Sequence, residues 1–207
     1  MSPRPTTVRS RREEILDEAT QLFAERGYEG TSMADLAERV GLRKASLFHH
    51  FASKEVLYAA VLAQLVERVG QTILTGTIGP GSFEERLDRI ADAITAVLGE
   101  QPFAARLLIR EVMDWGPVAR DHLSGQILAV LAASEAFVRS GQEEGAFAKL
   151  DPKQVVVTLV GIHFMPFAIG HIVKGFIGID PADPAFVAPR SDAVREHVRR
   201  LARATKK

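Results

Sequence analysis

Apolar residues recur along the chain at the spacing of helices, and no stretch shows the alternation of a strand. Ile15, Leu16, Ala19, Leu22 and Phe23 form one stripe over a first helix at residues 9–26, which Gly27 ends. Ser32 with Asp35 three residues on has the spacing of a capping box. Met33, Leu36, Ala37 and Val40 then give a short second helix its buried face, and Gly41 stops it. Leu42 plugs the turn, and Leu47 and Phe51, four apart, anchor a third short helix. The residues between those anchors, Arg43, Lys44, Ser46, His49 and His50, must face outward. Ser53 caps a fourth helix that carries Leu57, Val61, Leu65 and Val69 to about Leu74.

The run GTIGPG at 76–81 is a boundary. Ser82 and Glu85 form a full capping box for a fifth helix, with Phe83, Leu87, Ile90, Ile94 and Leu98 inside. Pro102 can open a sixth as its first residue, and Trp115-Gly116-Pro117 breaks it. A long seventh helix is predicted over Ala119–Glu144. Asp151-Pro152 starts an eighth that runs to about Lys174, residues 178–190 read as a proline-rich loop, and Ser191 caps a last helix. The expectation is an all-α protein of about nine helices.

Composition narrows the class. The 207 residues suffice for a sizeable core, and a hydrophobic share of 46% with 25% charged residues is ordinary for a globular protein. No cysteine is present, which excludes disulfides and thiolate metal sites and fits a cytoplasmic location. Net charge is zero, but Arg4, Arg9, Arg11 and Arg12 all precede the first acid, Glu13. No glycine-rich phosphate loop, GxSxG or HExxH occurs, so no enzyme class has its machinery here, and no cofactor is expected. The segment Val155–Ile179 is the most apolar, but His163, Pro166, His171 and Lys174 within it favour a buried helix over a membrane span.

Residues 15–57 carry a resemblance: an apolar first helix ending in Gly27-Tyr28, then Thr31-Ser-Met-Ala-Asp-Leu-Ala37, then Gly41-Leu42, then Ser46-Leu-Phe-His-His-Phe51 and Ser53-Lys-Glu55. In order and spacing these resemble the TetR family of transcriptional repressors. The resemblance implies a DNA-binding helix-turn-helix domain at 1–53 with a basic arm, followed by an effector-binding and dimerisation domain at 54–207. It implies a homodimer on double-stranded DNA with a palindromic operator, released when a small-molecule effector separates the heads. Arg43 stands where the family usually has a capping Ser or Thr, and Phe48 where Tyr is commonest.

On that reading Arg43, Lys44, Ala45, Ser46, Phe48, His49 and His50 would meet the major groove. Thr31, Ser32 and Lys54, at helix N-termini, would meet phosphates, and the Arg9–Arg12 cluster the backbone or minor groove. Phe103, Leu107, Arg110, Met113, Trp115, Phe137, His163, Phe164 and Phe167 are candidates for a pocket that takes a hydrophobic or aromatic effector. His163 and His171 serve either that pocket or the contact between subunits. Eight residues apart, about 12 Å along a helix, they are too distant for one metal ion. The subunits are expected to pair through the helices near 155–175 and 191–203. A helical adaptor whose head binds a protein instead of DNA is the alternative.

Overall fold

The structure, a computed structural model, describes residues 10–202. Arg4 and Arg9 of the basic arm lie outside the described residues. Among those described, all regular structure is helical. The head is α1 (Arg11–Arg26), α2 (Met33–Arg39) and α3 (Lys44–His50). Capping boxes start α1 (Ser10 with Glu13) and α2 (Ser32 with Asp35). Gly41 adopts φ 64° in the turn, a left-handed value that favours glycine, and Leu42 N–H closes on Ala37 O at 2.8 Å. Ile15, Leu22, Phe23, Leu36, Leu47 and Phe51 fill the space between the three helices. Arg39 clamps α2 to α1 through Glu18 (2.7 Å), Gln21 (2.8 Å) and Glu25 (3.4 Å).

Ser53 caps α4 (Lys54–Ile78), which runs from the head through the body. Around it pack α5 (Phe83–Glu100), α6 (Pro102–Asp114), α7 (Pro117–His122), α8 (Ser124–Glu143), α9 (Pro152–Ala168), α10 (Gly170–Ile177) and α11 (Pro184–Ala202). Two buried clusters result. One runs without a break from the head along α4 to Leu107, Val118 and Leu123, and the other joins α5, α8, α9 and α11.

Among the described residues eleven helices replace the expected nine, and each difference has a local cause. The seventh predicted helix is two, broken at Leu123, whose side chain is buried while its backbone leaves helical geometry at φ −122°, ψ −18°. The fourth helix continues to Ile78. The long apolar helix ends soon after Pro166, and α10 leaves it at 76°. Proline has no N–H for Ile162 O, four residues back, and the Arg190 guanidinium donates to that carbonyl instead, at 2.5 Å. The loop predicted at 178–190 is helical from Pro184, so Ser191 lies inside α11 rather than capping it. Asp183 accepts from Ala185 N–H at 2.8 Å and caps the helix, an Asp-Pro start like that of α9. No single helix among the described residues is long and apolar enough to cross a membrane.

Candidate functional site

The outward face of α3 is the first candidate. Arg43, Lys44, Ala45, Phe48, His49 and His50 are exposed, while Ser46 is half-buried. Arg43 holds the N-cap position, and its side chain makes no cap hydrogen bond. Lys44 Nζ lies 6.0 Å from the centre of the Phe48 ring, so a cation and an apolar plate stand together on this face. Arg12 sits 5.0 Å over the buried Phe51 ring, and Arg11 donates to Val40 O.

Two expected phosphate contacts have other work. Thr31 is buried, and its hydroxyl donates to Gly27 O at 2.9 Å, inside the head. Lys54 Nζ donates to Tyr28 O at 3.0 Å and lies 4.1 Å over the Tyr28 ring, with Glu29 at 3.9 Å. The ammonium at this helix N-terminus is therefore balanced within the protein. Ser32 is exposed and takes part in its capping box with Asp35.

The second candidate is a cavity in the body, enclosed by α4, α5, α6, α8, α9 and α11, with an empty volume of about 1170 Å³ including its open mouth. Phe137, His163 and Phe164 line it. The other six nominated residues do not. Phe103 and Leu107 pack in the cluster shared with the head. Met113 and Trp115 are exposed, and Trp115, at φ 41°, ends α6. Phe167 packs edge-on against Phe186, with ring centres 5.9 Å apart. Arg110 donates to Phe23 O of α1 at 3.3 Å. The phase of α6 explains the exchange: Leu108, Ile109 and Val112 face the cavity. This helix is apolar on several sides, and spacing alone does not choose between them.

One pair was not foreseen. Tyr58 of α4 donates a short hydrogen bond to Glu111 of α6, and both side chains are buried. Burial, followed by the neighbouring Glu111 carboxylate, raises the Tyr58 phenol far above its ordinary value, so it stays a donor. Tyr58 also stacks edge-on against Phe23 of the head, 4.8 Å between centres. The sequence signal was available only in hindsight: an acid on the apolar side of α6 and a tyrosine on the buried stripe of α4.

His163 is 5% exposed. Its Nδ1 lies 2.8 Å from Leu159 O and so carries the proton. Burial lowers its affinity for a second proton. The unfolded chain, with an ordinary value of 6.5, takes up that proton first as pH falls. Stability is therefore expected to hold above pH 6.5 and to drop below it. Thermal unfolding between about pH 8 and pH 5.5 should show a shallower loss in His163→Leu than in the wild type. His171 is exposed on α10, beyond the bend, and does not share a face with His163. No group of three metal-ligating side chains occurs among the described residues.

A short helix-turn-helix head, carried on a helical body with an internal apolar cavity, defines a DNA-binding transcriptional regulator. The family model described as "Bacterial regulatory proteins, tetR family" matches residues 15–61, the one described as "Tetracyclin repressor-like, C-terminal domain" matches residues 84–198, and the chain belongs to the TetR family. It is similar to the HTH-type transcriptional regulator RutR of Escherichia coli K12, with 26% identity over 169 residues, 80% of this chain and 78% of that protein. Among solved structures it is similar in fold to the TetR family regulator PfmR of Thermus thermophilus, with TM-score 0.74, 23% identity, and coverage of 93% of this chain and 99% of that one. It is also similar to AibR in complex with isovaleryl coenzyme A and operator DNA, with TM-score 0.72, 19% identity, and coverage of 91% and 97%. The family is one of regulators, not enzymes.

Proposed function

We propose that the protein is a ligand-responsive repressor that binds a palindromic operator as a homodimer and leaves it when a small apolar effector fills the body cavity. The observation that carries this reading is the double engagement of α6. Leu108, Ile109 and Val112 line the cavity, while Arg110 and Glu111 hold α1 and α4. An effector that displaces α6 thereby acts on the contacts that fix the head. In AibR an acyl coenzyme A and operator DNA are bound together, which is consistent with two sites on one such chain.

Residues 1–53 would then be the DNA-binding unit and 54–207 the effector and dimer unit. Within the first, Arg43, Lys44, Ala45, Ser46, Phe48, His49 and His50 meet bases or phosphates, with Ser32 at the backbone, while Lys54, the first residue of the second, braces Tyr28. Dimerisation is better supported on α8 and α9 than on residues 191–203. α11 packs on α5, with Arg195 on Asp92 at 2.8 Å and Arg199 on Asp88. α8 and α9 expose Leu128, Ala129, Ala132, Val157 and Met165, an apolar surface suited to a second copy.

The test is fluorescence anisotropy on a palindrome taken from beside the protein's own gene. Half-sites should be one helical turn apart, roughly 34 Å, or a multiple of it. Affinity should exceed that for random duplex at about 0.15 M salt and fall steeply as salt rises. Equal affinity for both duplexes would favour the adaptor reading. Lys44→Ala is expected to cost about 1–3 kcal/mol of operator binding if it reads a base edge. If Lys44 holds only phosphate, specific and random duplex should weaken alike.

A further inference from the structure

One residue on the outward face of α3 is unlike its neighbours. Arg43, Lys44, His49 and His50 each end in a polar group that can meet a phosphate or a base edge. Phe48 has none. Its ring is 40% exposed, and among the described residues of the head it is the only large apolar side chain that the fold leaves open to solvent. The phase of α3 places it there. Leu47 is the residue that this helix buries, and the next position turns about 100° away from it. Lys44, one turn back, holds its ammonium 6.0 Å from the centre of the ring. Ala45, three residues back on the same face, is exposed and adds only a methyl group. An isolated apolar residue on a protein surface is ordinary, but this one stands in the middle of the face that would enter the groove.

We infer that Phe48 selects thymine: its ring packs on the C5-methyl group of one thymine in each half-site of the operator. This rests on the reading of α3 as the element that enters the major groove, and it specifies the base that one of its residues selects. The thymine methyl is the apolar group that base edges present in that groove. The other bases offer polar atoms there: cytosine an N4 amino group, adenine an N6 amino group with N7, guanine N7 and O6. A phenyl ring can neither accept from nor donate to any of them, so each would lose its water against the ring without a partner. Uracil pairs as thymine does but lacks the methyl, so it would keep the fit and lose only the apolar contact. A ring that packed on sugar instead would be indifferent to all of these changes.

Fluorescence anisotropy of the full-length protein on the palindrome, with each thymine of one half-site replaced in turn by deoxyuridine, tests this without altering the protein. At one position the wild type is expected to lose about fourfold in affinity, the worth of one buried methyl group. The dependence on salt should stay unchanged there, because no phosphate contact is lost. Phe48→Ala should bind the unmodified palindrome more weakly and no longer tell thymine from uracil at that position. Phe48→Leu, with a smaller apolar side chain, should show a reduced difference, and it keeps the test standing if the alanine variant does not fold. If no replacement by uracil weakens binding, or if the full loss persists at the same position in both variants, the assignment of Phe48 to thymine is overturned while the operator reading stands. If the wild type prefers no palindrome over random duplex, the operator reading itself fails, and this inference fails with it.

Discussion

Gly141→Ala is expected to lower the unfolding midpoint by about 3–8 °C, from a net loss of about 1–2 kcal/mol. Gly141 lies near the end of α8, where an added Cβ would come within 2.3 Å of Cζ and 2.4 Å of Cε2 of Phe83. That ring cannot easily give way. It stacks on Phe137 at 4.7 Å and meets Phe147 edge-on at 5.9 Å, all three buried. The Gly141 carbonyl also accepts from Ala146 and Phe147 N–H, at 2.8 and 2.9 Å, so movement of this turn would shift Phe147 too. The opposing effect is helix propensity, which favours alanine over glycine by about 1 kcal/mol. A contact at 2.3 Å against a ring held on several sides outweighs it. Gly175→Ala in α10 supplies the control, because among the described residues no atom beyond its chain neighbours and the adjacent backbone of its own helix lies within 4 Å of the added Cβ. It should raise or leave unchanged the midpoint that Gly141→Ala lowers, and a fall of equal size in both would mean that packing around Phe83 is not the cause.

The head was legible in the sequence because its determinants are local. Ser32 and Asp35 are three residues apart, Gly41 ends the helix they start, and Leu47 and Phe51 point the same way by helical geometry. The bond of Lys54 to Tyr28 O was not legible because the two lie 26 residues apart and meet only when α4 packs on the head, whereas Thr31 reaches Gly27 O only four residues back, a local contact. In the body, Asp183-Pro184 carried the same start signal as Asp151-Pro152, but the surrounding prolines obscured it. Pro166 marked the bend in the apolar helix, whereas Arg190, which satisfies the carbonyl it frees, lies 28 residues from it at Ile162. The cavity was the least legible feature. Its walls are mostly ordinary aliphatic residues of six helices, and the aromatic residues that looked most like a pocket mostly belong to the core or the surface.

Tyr58→Phe is expected to destabilise the protein by about 1–3 kcal/mol and to weaken the link between effector and operator. The substitution keeps the ring that packs on Phe23 at 4.8 Å and Tyr28 at 4.9 Å, so the loss isolates the hydroxyl. Without it, the Glu111 carboxylate is left buried with its donor gone. Adding Glu111→Leu removes the stranded charge, and the double variant should recover most of the stability, a coupling of about 0.5–3 kcal/mol between the two sites. That recovery makes the functional measurement possible, because the double variant is folded yet lacks the polar tie between α4 and α6. An effector that weakens operator binding by a typical factor of about 5–150 in the wild type should do so by only a few-fold in the double variant, with operator affinity in its absence largely kept. An undiminished effector response would show that the signal reaches the head by another route, with Arg110 on Phe23 O the next contact of α6 to remove. The tie matters because it is directional: Tyr58 remains a donor and Glu111 an acceptor, so sliding of α6 along α4 cannot exchange it for an equivalent bond, as sliding of one apolar side chain past another could.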